Sequence, residues 1–138
     1  MQSSWSALEG HAILVVDDDD GTRELLRAIL AAHGARVTTA ASVREARRIL
    51  ETVRPAVIIT DLAMPGEDGF HLMEHCRHHA LPELQALPII ALTAYGTPQA
   101  ESRILAAGFD AYFTKPVDPA EVGIAVRDLI VRKSSSTH

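Results

Sequence analysis

Apolar residues in this chain fall into short unbroken runs that alternate with longer stretches of helical periodicity. The first run is AILVV at 12–16. A run of this length without polar alternation marks a strand covered on both faces. It ends in four aspartates, Asp17 to Asp20. Leu25, Leu26, Ile29 and Leu30 then recur at helical spacing within Thr22 to Ala32, with Asp20 as the expected N-cap and Gly34 as the stop. Arg36 to Thr39 reads as a second strand. Ser42 and Glu45 form a capping box for a helix with Val43, Ala46, Ile49, Leu50 and Val53 on one face, ended by Pro55. A third strand at 56–60 stops at Asp61, and a loop with Pro65, Gly66 and Gly69 follows. Phe70, Met73, Cys76 and Ala80 make the stripe of a third helix, and Leu81 to Leu87 is a longer connection. Ile89 to Leu92 is a buried strand ending at Thr93. Thr97-Pro98 opens a helix that reaches about Ala107 and closes at Gly108. Ala111 to Phe113 is a short strand before Lys115-Pro116. Asp118, Pro119 and Glu121 repeat the start signal for a last helix carrying Val122, Ala125, Val126, Leu129 and Ile130.

Strand and helix therefore alternate five times. That order predicts an α/β fold, a parallel sheet with helices on both faces. The 138 residues leave room for one domain, expected at 11–132, between a loose leader at 1–10 and a disordered tail at 133–138. The net charge of -5, with no basic stripe, argues against nucleic acid as a direct partner. The single cysteine excludes an internal disulfide and suits a reducing compartment. The run at 12–16 is too short for a signal peptide core or a membrane span, so a cytoplasmic location is expected.

Candidate chemistry sits at the strand ends, where open α/β sheets collect it. Asp17 and Asp18 end the first strand, Asp61 the third, Thr93 the fourth and Lys115 the fifth. In a parallel sheet these ends share one edge. Three carboxylates held together repel, and a hard divalent cation relieves the repulsion. Oxygen-only ligands suit Mg²⁺ (or Mn²⁺) better than zinc. An ammonium at about 4 Å contributes roughly 4 kcal/mol to a unit negative charge at an effective dielectric near 20. A cation and Lys115 opposite Asp61 make a pocket suited to a transferring phosphoryl group, with a carboxylate as nucleophile. Thr93 is placed to donate a hydrogen bond to it, and Ala94 leaves the approach open.

The stretches ILVVDD, VIITDLAMPGEDG, IIALTA and AGFDAYFTKPVDP, in this order and spacing, resemble the receiver domain of two-component response regulators. The likeness covers about residues 11–132. It implies a doubly wound, flavodoxin-like (βα)5 sandwich like that of chemotaxis regulators, with strand order 2-1-3-4-5. It implies that Asp61 is phosphorylated by a histidine kinase or phosphotransfer protein. By the same resemblance Asp18, Asp61 and the carbonyl of Ala63 bind Mg²⁺ directly, and Asp17 acts through a water. Thr93 and Lys115 would hold the phosphoryl group. Lys115-Pro116 would be a cis peptide, and Tyr112 a switch residue coupled to Thr93. The fourth helix, fifth strand and fifth helix would form the output face toward a downstream protein target. The domain would act on itself rather than turn over a substrate, as a monomer or weak homodimer. ALEGHAILVVDD and MPGEDGF also resemble receivers carried by hybrid histidine kinases.

A second resemblance belongs to a different class. Asp18-Asp19-Asp20-Gly21-Thr22 matches D-x-D-G-T, the nucleophile motif of haloacid-dehalogenase-type phosphatases. There Asp18 would be the nucleophile and Asp20 the acid/base of a turnover enzyme. The acids after Lys115 fall on a capped helix, where that family needs a strand-borne pair. Asp19 reads as surface. His71, His75, His78 and His79 fall within about a 100° arc opposite the apolar stripe, so they read as a solvated face with adventitious zinc or nickel binding. Cys76 reads as core.

Overall fold

The computed structural model describes residues 8–135. Among them, five strands and six helices follow one another as β1 (Ala12–Val16), α1 (Asp20–Ala32), β2 (Arg36–Ala40), α2 (Val43–Leu50), β3 (Val57–Asp61), α3 (Gly69–Arg77), α4 (Pro82–Gln85), β4 (Ile89–Thr93), α5 (Pro98–Ala106), β5 (Ala111–Thr114) and α6 (Pro119–Ser135). The strands form one parallel sheet in the order β2-β1-β3-β4-β5. This is the parallel sheet with helices on both faces expected from the alternation, in the doubly wound order that the resemblance implies.

The unbroken apolar strands are explained by two cores, one on each face. Leu14, Val16, Ile58, Ile89 and Ala91 point to one face and pack on α2, α3, α4 and Ile104 of α5. Ile13, Val15, Val57, Ile59, Ile90 and Leu92 point to the other and pack on α1 and α6. Successive residues of a strand face opposite ways, so a strand buried on both sides reads as a nearly continuous apolar run.

The structure departs from the sequence pattern at several ends. Asp19, not Asp20, caps α1: its backbone is extended, and its carboxylate accepts from the Thr22 amide at 2.8 Å. Asp20 lies in the first turn, where a carboxylate favours the positive helix end. α2 ends at Leu50, short of Val53. α3 is capped by Asp68 and ends at Arg77, so Ala80 lies outside it, and Leu72 is fully buried beside Met73 and Cys76. The connection at 81–87 contains the one-turn helix α4, with Leu84 and Leu87 in the core. α6 runs on to Ser135, past residue 132. Leu8, placed by the pattern in the leader, is buried against the second core. Trp5 and the rest of 1–7, and the tail at 136–138, lie outside the described residues.

Gly69 sets how closely α3 meets the end of β3. A Cβ there would lie 2.5 Å from the backbone oxygen of Asp61 and 3.1 Å from the Leu62 Cα. Both neighbours are backbone, so neither yields as a side chain would. Gly69→Ala is expected to destabilise the fold by about 1–3 kcal/mol, read as a lower urea midpoint. An unchanged midpoint would mean that the loop moves aside freely.

Candidate functional site

Register alone brings the polar strand ends together. Val16 of β1 lies opposite Thr60 of β3, which sets Asp17 beside Asp61. Thr93 of β4 lies opposite Thr114 of β5, which sets Lys115 one step beyond. Asp17 is fully buried, and Asp61 and Thr93 are 5% and 4% exposed. Asp18 is exposed and, among the described residues, its carboxylate makes no protein hydrogen bond. Asp17, Asp18 and Asp61 each present an oxygen within 4.8 Å of the others.

The Lys115 ammonium bridges two of the three. Its Nζ lies 2.9 Å from Asp17 Oδ2 and 3.3 Å from Asp61 Oδ2. Asp17 Oδ2 has no hydrogen bond of good geometry, so this buried oxygen depends on the charge of Lys115. Asp17 Oδ1 accepts from the Asp19 amide at 2.9 Å, and Asp61 Oδ1 from the Ala63 amide at 3.3 Å. Burial, and then the charge of Asp17, push the Asp61 carboxyl above the usual carboxylate range, against the pull of Lys115. Burial works against the charge on Lys115, but its pairing with Asp17 and Asp61 outweighs this and raises its pKa. A buried oxygen short of hydrogen bonds, in a set of oxygen donors with one open to solvent, fits a hard divalent cation that keeps some of its waters.

Thr93 and Tyr112 are engaged elsewhere. Thr93 Oγ1 accepts from the Tyr95 amide at 3.0 Å and donates to the Tyr95 carbonyl at 3.3 Å. The Tyr112 hydroxyl donates to Glu101 on α5. A cleft of about 190 Å³ opens beside Ala63 and Thr93, lined further by Phe70, Tyr95 and Arg103. The Arg103 guanidinium sits 4.1 Å over the Phe70 ring, which meets Phe109 edge-on. The Lys115-Pro116 peptide is cis.

Sequence reasoning missed several supporting residues. Arg47 of α2 pairs with Glu67 and braces the loop after β3. Asp68 caps α3, with the His71 ring accepting from its amide at 3.0 Å. Asp68 with a polar residue three places on was a readable signal for the cap. Arg47 and Glu67 are 20 residues apart and gave none.

The phosphatase reading is overturned. Asp20, its acid/base, is 92% exposed and paired with Arg23 at the helix start. Lys115 reaches Asp17 and Asp61 rather than Asp18. Asp118 accepts from the Ala120 amide at the start of α6, and Glu121 and Asp128 are exposed on that helix. The histidine arc breaks up because α3 ends early: His78 is its C-cap, and His79, beyond it, accepts from the Leu81 amide through Nδ1. His75 and His79 are half-buried, so they do not share one solvated face with His71. Cys76 is fully buried, and burial pushes its thiol up to about 11, as befits a core residue.

The strain at Asp61 has a pH signature. Its folded pKa is raised, so its ionised form costs stability. The cost is absent below the unfolded value near 4 and grows as pH rises through the folded pKa. In metal-free buffer at neutral pH, Asp61→Asn is expected to raise Tm. The gain should vanish toward pH 3. A gain that persists there would assign the effect to something other than this charge.

The sequence profile of the response regulator receiver domain matches residues 13–127. The chain is 48% identical over 110 residues to an uncharacterized 14.6 kDa protein in the sodA1 3' region of Leptolyngbya boryana, with 80% of this chain and 82% of that one covered. It is 36% identical over 127 residues to the response regulator Rre1 of Synechocystis, covering 91% of this chain and 54% of that protein, so it spans about half the relative's length. It is similar in structure to the signal receiver domain of a signal transduction histidine kinase from Syntrophus aciditrophicus, with a TM-score of 0.80, 32% identity and 94% of each chain covered. Among the described residues, no helix is long and apolar enough to cross a membrane. A profile that spans most of the chain, on a 2-1-3-4-5 sheet whose strand ends gather three carboxylates and a lysine, shows that this chain belongs to the response regulator receiver domain family of two-component signalling.

Proposed function

We propose that Asp61 is the phosphoacceptor of this receiver and that a Mg²⁺ ion held by Asp18, Asp61 and the Ala63 carbonyl assists the transfer. Asp17 would act through a bound water. One observation carries the reading: Asp61 is 5% exposed, ends the central strand and faces the Lys115 ammonium at 3.3 Å. Bound at this site, the cation neutralises charge on the phosphoryl oxygens and on the carboxylates. A carboxylate oxygen of Asp61 forms the new P–O bond as the P–N bond of a phosphohistidine breaks, and the electron pair leaves with the imidazole nitrogen. Lys115 is already within reach of the site and moves to pair with the phosphoryl group. Thr93 gives up Tyr95 and donates to a phosphoryl oxygen.

The output follows from what those movements release. With Thr93 withdrawn, Tyr112 leaves Glu101 and turns inward, which changes the face made by α5, β5 and α6. Shifting such an equilibrium from 1:99 to 99:1 takes about 5.5 kcal/mol of differential binding. A doubly charged group contacting an ammonium, a cation and a hydroxyl is of the right size. The reading supports a histidine kinase or phosphotransfer protein as donor and a downstream protein docking on the changed face. The likeness to the Syntrophus kinase receiver supports a hybrid-kinase setting as well as a separate regulator.

Intact-mass spectrometry after incubation with acetyl phosphate tests this. Wild type with Mg²⁺ is expected to gain one phosphoryl group. Asp61→Asn, and wild type with the metal chelated, should gain none. Labelling that survives Asp61→Asn would move the acceptor elsewhere. No labelling of wild type under any condition would refute phosphoryl chemistry at this site.

A further inference from the structure

Arg23 stands where helix energetics disfavour it. It belongs to the first turns of α1, at the positive end of the helix dipole, where acids rather than bases are favoured. The side chain folds back six residues along the chain, and its Nη1 donates to the Asp17 carbonyl at 2.7 Å. Its other nitrogen pairs with the Asp20 carboxylate. Only 19% of the side chain is exposed, whereas Asp20 is 92% exposed. Arg23 thus grips the backbone of the turn that presents Asp17 and Asp18. It takes no oxygen from either carboxylate.

Four consecutive aspartates repel one another, and nothing in such a run fixes which way its carboxylates point. Here the run is tied at each end. Asp17 donates its amide to Ala40, and Asp19 caps Thr22 through the amide at 2.8 Å and the hydroxyl at 2.7 Å. Arg23 closes the remaining gap, joining the carbonyl end of Asp17 to the body of α1. We propose that Arg23 is a positioning residue for cation binding: it locks the β1–α1 turn so that the Asp17 and Asp18 carboxylates stay aimed at Asp61. The inference rests on the reading of these three acids as a Mg²⁺ site.

Charge and position predict opposite outcomes. As a charge, Arg23 repels a divalent cation, so its removal would tighten binding. As a positioning residue it favours the cation, so its removal weakens binding. An NMR titration of amide shifts at 17–21 and 61–63 with Mg²⁺ alone reads this on unphosphorylated protein. Arg23→Met is expected to weaken Mg²⁺ about tenfold. Arg27→Met makes the same charge change one turn on, where the side chain pairs with Glu24, and should shift affinity less than about twofold. If Arg23→Met fails to fold, Arg23→Lys keeps the charge without the two-armed grip and should bind about threefold more weakly. Unchanged or tighter binding in the Arg23 variant overturns the proposal and leaves the cation site intact. Wild type that binds no Mg²⁺ overturns the site reading, and this proposal with it.

Discussion

The ammonium of Lys115 is the contact on which the site depends. Asp17 and Asp61 are buried side by side because β1 and β3 are neighbours in the sheet, and no local rearrangement separates them. Two buried carboxylates at this spacing are costly unless paired. Lys115 comes from the end of the edge strand β5, two strands from β3. A long, flexible side chain with a compact charge spans that gap, and a guanidinium would bring a bulkier, more rigid fork. The ammonium sits 2.9 Å from one carboxylate and 3.3 Å from the other, and does not fully relieve Asp61. Further positive charge beside Asp61 would therefore be favourable.

That unrelieved charge links the site to the rest of the molecule. Thr93 lies between Asp61 and Lys115 in the row of strand ends, with its hydroxyl spent on the Tyr95 backbone. Tyr112 is held by Glu101, and Arg103 stacks on Phe70. The Tyr112 and Arg103 ties are exposed or half-exposed side-chain contacts, whereas Thr93 is buried and holds the Tyr95 backbone through two hydrogen bonds. The β3 and β4 strands beneath them are buried throughout. A strong charge change at Asp61 then finds weak contacts on the α5 side and a rigid sheet below. In the proposed switch, the response to phosphorylation would therefore run toward α5.

Much of this was legible in the sequence because it follows from period and punctuation. Unbroken apolar runs located β1, β3 and β4, short β-prone stretches gave β2 and β5, and chain order placed the strand ends on one edge. Asp17, Asp18, Asp61, Thr93 and Lys115 needed no further geometry to be grouped. Element ends were less legible. In a run of four aspartates any one can cap a helix, and the backbone at Asp19 decides it. Leu8 gave no periodic signal because a single apolar residue before a strand has no partner from which to measure a period.

Gly69 and Arg23, whose roles escaped sequence reading, act on backbone, unlike the Arg47–Glu67 side-chain pair. Gly69 matters because a backbone oxygen lies where its Cβ would be, and Arg23 because it holds a carbonyl. Neither contact has a side-chain counterpart whose identity could be read. The aspartates at the strand ends declare their chemistry by type, whereas the groups that aim them are any that can reach a peptide unit. Aim matters as much as identity here. Asp18 is exposed and its carboxylate makes no protein hydrogen bond among the described residues, so its backbone turn fixes where that carboxylate points. A site of this kind is defined twice over, once by the charges that meet in it and once by the turns that keep them facing one another.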